Sequence, residues 1–273
     1  GARSNDRCAL GDWVVNEKKL GCTLHDLVEQ IKALGLDYAE FDVNADDISY
    51  LDRAEIRKAL ADTGVKLGAV GRWGRDRITS DGSINAKEQK DEFDLIDMCA
   101  ELGCPVYITG CNYVEGLSYY QNISAAIAYF QSLIDYAVGR VKLCVYNCSW
   151  NNYVNKPHEW DIINAHLKSL GIKFDPSHTV NGGRDYLSEA AAYGANFDHV
   201  HLKGTLNIDG RHIDDPPAGM DMINWGALLS ILRKYNYQGM LSIEPHSATW
   251  QGELGEQGLK YTIDYFKKLL FLA

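Results

Sequence analysis

Short β-branched and aromatic runs alternate along the chain with longer stretches whose apolar residues recur at i, i+3, i+4 and i+7, the periods of strand and amphipathic helix. The order is constant: strand, polar loop, helix, glycine turn. A first strand is predicted over Cys8–Val14. Its helix opens at Thr23, where Thr23 and Asp26 have capping-box spacing. It runs through Leu24, Leu27, Val28, Ile31 and Leu34 and stops at Gly35. The same unit recurs as Tyr38–Val43 with a helix over Asp52–Asp62, Val65–Val70 with Asn85–Leu102, and Val106–Thr109 with Ser118–Val138. It continues as Val141–Tyr146 with Pro157–Leu170, Ile172–Asp175 with Tyr186–Tyr193, His199–Leu202 with Trp225–Tyr235, and Gly239–Glu244 with Glu256–Leu270.

Alternating strand–helix units imply parallel strands joined by right-handed crossovers. Eight such units in 273 residues, with no linker-like stretch between them, predict one α/β domain over residues 1–273, a closed (β/α)8 TIM barrel. The competing arrangement is a doubly wound open sheet. It would carry a glycine-rich phosphate loop after the first strand, and Gly11-Asp12-Trp13 is not one.

Composition narrows the classes. With 46% hydrophobic and 23% charged residues and only 6 prolines, the chain is neither fibrous nor disordered. No run of apolar residues approaches the roughly 18 needed to span a bilayer, so no membrane partner is expected. A net charge of −10 without a Lys/Arg cluster argues against nucleic acid. Seven cysteines without a CxxC pair read as small buried hydrophobes. The opening Gly-Ala-Arg-Ser-Asn-Asp-Arg is compatible with a cloning remnant or with a mature chain after signal-peptide removal, so a cytoplasmic and an exported location both stay open.

In a barrel of this kind the active site lies at the C-terminal strand ends. Four of the eight histidines, His178, His199, His201 and His246, follow the last three strands. Strand alternation puts His199, His201 and Lys203 on one side, His199 a layer deeper, and gives Glu244 and His246 a common parity. Asp175, His201 and Glu244 are then expected to converge from three adjacent strands. One imidazole and two carboxylates suit a divalent ion such as Mn, Zn, Mg or Co, with positions left for substrate oxygens. The bland alternatives are a hydrogen-bonded structural histidine and carboxylates that cap helices. Trp13, Trp73, Trp150 and Trp250 each follow a strand and could stack on a sugar or simply pack the barrel top. Arg72, Arg75 and Arg77 read as solvated loop charges rather than as a phosphate site. Asn122-Ile-Ser124 and Asn147-Cys-Ser149 fit the glycosylation sequon.

Four stretches occur in order: Phe174-Asp175-Pro-Ser-His178, His199-Val-His201-Leu-Lys203, Pro217-Ala-Gly-Met-Asp221-Met-Ile-Asn-Trp225, and Tyr237-Gln-Gly239-Met-Leu-Ser-Ile-Glu244-Pro-His246. The set resembles the xylose isomerase-like TIM barrels, which include sugar-phosphate isomerases and epimerases, ketose 3-epimerases, inosose dehydratases and AP endonuclease family 2-like proteins. The resemblance implies a metal bound by a Glu after the fifth strand, an Asp after the sixth, a His after the seventh and a Glu after the eighth. Three carry over as Asp175, His201 and Glu244, and His178 matches a substrate-binding histidine. The fourth does not, because the chain reads Val145-Tyr146-Asn147-Cys148 there. Gly204 also stands where one branch has an Asp. In the family, two-base epimerisation sets a Glu on each face of the inverted carbon. Losing one removes a charge from the metal site and a proton carrier from one face. Glu40, Lys203 and His246 are candidate replacements.

The expected function is divalent-metal-dependent isomerisation or epimerisation of a sugar, sugar phosphate or related keto-polyol by proton abstraction α to a carbonyl. Glu244 is the expected base, with His178, Lys203 and Tyr146 in catalysis. His246, Trp13, Trp73, Asn147 and Glu40 are expected around the substrate. A dehydratase on the same scaffold and a non-catalytic carbohydrate-binding barrel are the alternatives. Dimerisation between copies is a further expectation, with no interface legible.

Overall fold

A computed structural model of the protein describes residues 24–272. Seven parallel strands form one sheet in chain order: β1 (Tyr38–Asp42), β2 (Lys66–Gly71), β3 (Val106–Thr109), β4 (Lys142–Tyr146), β5 (Gly171–Phe174), β6 (Phe197–Leu202) and, after a small hairpin, β9 (Met240–Ile243). Every strand pairs with its successor. Helices fill the crossovers, so the sheet curls into a nearly closed barrel, as a βα repeat requires. The strand expected over Cys8–Val14, the helix start at Thr23, and Trp13 lie outside the described residues.

Local sequence places the helices. Helix α1 (Leu24–Ala33) ends before Gly35, whose φ of 77° is left-handed. Helix α2 (Arg53–Thr63) is capped by Asp52, which accepts from the Ala54 and Glu55 amides. Asn85 caps α3 (Ala86–Glu101), and Ser118 with Gln121 forms a capping box on α4 (Tyr119–Ala137). The single helix expected over 157–170 is instead two short turns, α5 (Pro157–Trp160) and α6 (Ile163–His166). β-branched Ile162 and Ile163 followed by Asn164 are poor helix formers, and the Asn164 side chain turns back to the Leu170 carbonyl. A short helix after β5, α7 (Pro176–Asn181), precedes α8 (Tyr186–Tyr193). After α9 (Trp225–Lys234), the last helix, α10 (Gly252–Leu269), starts four residues earlier than the pattern predicts.

The hairpin of β7 (Leu206–Ile208) and β8 (Arg211–Asp214) was not foreseen. Its turn residues, Asp209 and Gly210, both have positive φ, as an Asp-Gly type I′ turn demands.

The two faces of the sheet differ. Alternate residues such as Phe41, Leu67, Tyr107, Val145, Phe174 and Val200 pack outward in one large core with the helices. The others point into the barrel and divide it. Ala69, Val106, Ile108, Cys144 and Tyr146 make a small apolar cluster with Trp73. The remaining wall, from β5, β6, β9 and β1, is polar: Lys173, Asp175, His199, His201, Ser242 and Glu40 are all buried. Buried polar groups on that scale must find partners or a ligand.

Candidate active site

Two register shifts mark this wall, one between Ala39 and Glu40 and one between Ile172 and Lys173. Each re-aims a strand next to a charged residue. Glu40 accepts from two imidazoles, from His199 Nε2 at 2.8 Å and from His201 Nε2 at 2.7 Å. His201 Nδ1 donates in turn to Glu244 at 2.7 Å. A carboxylate only accepts, so His201 donates from both nitrogens and is an imidazolium. Its pKa agrees: burial opposes the charge, but Glu40 and then Glu244 outweigh it and push the group up to about 9. Burial likewise works against ionisation of Glu40, yet His201 and His199 hold its carboxyl well below the usual range. His199 has its pKa lowered by burial, and its other nitrogen, Nδ1, has no hydrogen-bond partner among the described residues.

Asp175 sits at the end of β5. Its Oδ1 caps α7, accepting from the Ser177 amide at 2.9 Å and hydroxyl at 2.7 Å. Oδ2 is buried and accepts no hydrogen bond from the described residues. It faces Lys203 Nζ at 3.4 Å, His178 Nε2 at 3.4 Å and Lys173 Nζ at 3.9 Å. Burial opposes the charge of Asp175, but the Lys203 and Lys173 ammoniums more than compensate and keep it ionised. Lys203 is held charged against burial by Asp175. It donates to His178 Nε2 at 3.2 Å. His178 is neutral, lowered to about 3 by burial and by the adjacent Lys203 charge.

One donor atom each from Asp175, His201 and Glu244 lies within 4.8 Å of the others, and Glu40, His199 and His201 form a second such group. The first group is the convergence expected from strand parity. Its donor set fits a divalent ion: two carboxylates, one of them with a buried oxygen that accepts no hydrogen bond from the described residues, and an imidazole. Glu40 on the far nitrogen leaves Nδ1 of His201 as the one that faces Asp175 and Glu244.

The other predicted residues are placed as follows. Tyr146 is fully buried, stacked on Trp73 with ring centroids 5.3 Å apart, and Trp73 also stacks on His201 at 6.4 Å. The Tyr146 hydroxyl donates to the Trp150 carbonyl at 3.0 Å and accepts from Arg77 and from the Gly74 amide, both at 3.4 Å. Burial raises its pKa, so it keeps its proton. Asn147 spends its amide on the backbone of Asp175. His246 is half exposed, 3.4 Å from Asp215 Oδ2, a carboxylate it shares with His212. Trp150 is more than half exposed.

Arg72 and Arg77 are not solvated. Both are completely buried, Arg72 against Glu88 and Asp91 and Arg77 against Glu92, all on α3. Arg75 joins them on Glu88. The loop after β2 folds under α3, and its guanidiniums neutralise that helix's acids. Both sequon asparagines are buried, and described cysteines 99, 104, 111, 144 and 148 are free.

Sequence reading passed over Lys173, 1% exposed, with its Nζ 5.8 Å over the Trp73 ring. The signal was present: Lys173 shares parity with Asp175, between the outward residues Ile172 and Phe174.

A parallel barrel with acids, imidazoles and lysines gathered at its C-terminal strand ends places the chain in the (β/α)8 barrel class. The chain belongs to the xylose isomerase-like TIM barrel family, whose model matches residues 28–269. Among curated proteins, the uncharacterized protein YfiH of Bacillus subtilis (strain 168) is 26% identical over 170 residues, 53% of this chain. That alignment covers 54% of YfiH, so the chain spans about half the length of the curated relative it matches. Among solved structures, a xylose isomerase domain protein from Planctomyces limnophilus superposes with a TM-score of 0.72 at 14% identity, over 89% of this chain and 91% of that one. D-allulose 3-epimerase from Methylomonas sp., in complex with D-allulose, gives 0.70 at 17% identity, over 90% of each chain. No described helix is long and apolar enough to cross a membrane.

Proposed function

We propose that the protein is a divalent-metal-dependent isomerase or epimerase acting on a sugar, sugar phosphate or related keto-polyol. The observation that carries this reading is the meeting of Asp175, His201 and Glu244 from three adjacent strands, with Asp175 Oδ2 buried and accepting no hydrogen bond from the described residues. The sugar epimerase structure named above supports the substrate class. Asp175, Glu244 and His201, the last once Nδ1 has given up its proton, would hold a Mn, Zn, Mg or Co ion. Such an ion supplies Lewis-acid polarisation of a carbonyl and stabilises negative charge on its oxygen.

The chain's own groups divide the remaining work. Glu244, partly exposed at the mouth, is the base for the proton α to the carbonyl. Lys203 donates to a substrate oxygen, and neutral His178 hydrogen-bonds a neighbouring hydroxyl. Trp73 presents an apolar face toward the reacting carbon, with Tyr146 behind it as wall. His246 lies at the rim, within reach of the distal end of a substrate. Lys173 and Lys203 offset the carboxylates from below and beside the site.

A second reading, a dehydratase, has its own support. Tyr146, at the end of β4 where the family resemblance places a carboxylate, is stacked on Trp73 and keeps its proton. A reaction needing one base, isomerisation with proton return to the same face or elimination of water, suits that asymmetry better than a two-base inversion.

Incubation with D-allulose in deuterated water, followed by proton NMR, tests both. Deuterium at a carbon α to the carbonyl is expected, with an isomer for the first reading and a dehydrated product for the second. Metal analysis of wild type and Asp175→Ala tests the ligands: full occupancy in the variant refutes the assignment.

A further inference from the structure

We infer that Glu40 is a positioning residue for His201, fixing the imidazole so that Nδ1 faces Asp175 and Glu244. The inference rests on the cation reading of that trio and assigns a task to two groups it leaves unused, Glu40 and His199.

Glu244, His201, Glu40 and His199 form one unbroken chain of hydrogen bonds across the barrel interior, with links of 2.7, 2.7 and 2.8 Å. Glu40 and His201 are 161 residues apart, so only the closure of the sheet brings them together. Glu40 uses one carboxylate oxygen on each histidine, and both histidines and Glu40 are buried. The second histidine matters mechanically: a carboxylate gripped at both oxygens cannot rotate, so the acceptor offered to His201 Nε2 is fixed in direction. The register shift between Ala39 and Glu40 aims the side chain at this point.

An imidazole whose far N–H is taken by a carboxylate presents its other nitrogen in a set orientation and with raised basicity. Glu40 also restores a charge. The chain has Tyr146 and Asn147 where the family resemblance places a carboxylate, and Glu40 returns a third carboxylate from β1, behind the imidazole instead of beside it.

The test is Mn2+ binding followed by EPR on the full chain, for wild type, Glu40→Gln and His199→Gln. Glu40→Gln is expected to weaken Mn2+ binding about 10- to 100-fold. His199→Gln keeps a donor to Glu40 and is expected to weaken it less. A folded Glu40→Gln that binds Mn2+ like wild type overturns the inference, and so does a His199→Gln loss larger than that of Glu40→Gln. A second readout needs no metal and serves if Glu40→Gln does not fold. 15N spectra of the wild-type histidines are recorded across a pH titration, up to the pH at which the His201 ring is observed to be neutral. An Nε2–H form at His201 supports the inference and an Nδ1–H form overturns it. Wild type that binds no Mn2+ but shows the Nε2–H form removes the cation reading and leaves the positioning intact.

Discussion

The side-chain amide of Asn147 makes both of its hydrogen bonds to one residue, Asp175. Its Nδ2 donates to the Asp175 carbonyl and its Oδ1 accepts from the Asp175 amide, each at 2.9 Å. The two positions lie at the ends of neighbouring parallel strands, where the ladder has run out and backbone groups need other partners. The amide extends the β4–β5 pairing by one step and holds the Asp175 backbone while its carboxylate points into the site.

Asn147→Asp therefore does not restore the carboxylate that the family resemblance places there. An ionised Asp accepts but cannot donate, so it leaves the Asp175 carbonyl with only the longer bond from the His178 amide, at 3.3 Å, and sets two acids side by side. A loss of about 1–3 kcal/mol is expected from urea denaturation, with weaker Mn2+ binding. A variant as stable as wild type and tighter for Mn2+ would contradict the clamp.

Arg77 and Glu92 are a completely buried pair at 3.1 Å, and Glu92 also accepts from Tyr107 and Thr109. Arg77→Met strands that carboxylate in the core. It should cost about 3–5 kcal/mol, and adding Glu92→Leu should recover much of the loss. Equal instability of the single and double variants would count against this.

Gly110 lies beneath the Tyr146 ring, and a Cβ there would be 2.5 Å from Cζ. Gly110→Ala must tilt Tyr146 and, through the stack, Trp73. A loss of about 1–3 kcal/mol and a shift in tryptophan fluorescence are expected. An unchanged emission spectrum would show that the two rings are not coupled.

The histidine–carboxylate chain predicts a pH window for the metal-free protein. His201 titrates near 6.5 when unfolded and at about 9 when folded, so its contribution is complete below about 6.5 and disappears as pH rises through 9. Glu40 is depressed when folded, so its contribution is present above its ordinary 4.5 and disappears as pH falls below that. The urea midpoint of wild type should be highest near pH 5–6.5 and decline toward pH 9, while His201→Gln should lose most of that alkaline slope. Parallel slopes in the two proteins would place the titrating group elsewhere.

Most helices were legible because their signals are local. Asp52, Asn85 and Ser118 cap as their residue types require, and i, i+3, i+4 spacing marks the buried faces. The Asp209-Gly210 hairpin was equally local and was passed over, since the strands it joins are only three and four residues long. Lys173 was missed because hydropathy alone makes a charged residue in a buried strand an exception, although its parity with Asp175 was available. The three arginines were misread for a different reason: a loop sequence does not say which helix will fold over it.

By itself the order of apolar and polar residues determined the repeat of strand and helix, the barrel it implies, and the side of each strand on which Asp175, His201 and Glu244 would stand. Periodicity is a property of neighbours in the chain, so it can be read along the chain. Only the tertiary structure decided what those groups meet. Glu40 grips two histidines, Asn147 clamps Asp175, and Trp73 covers Tyr146, because closure of the sheet, two register shifts and a folded loop set distances between residues tens to more than a hundred positions apart, and no local pattern encodes a distance of that kind.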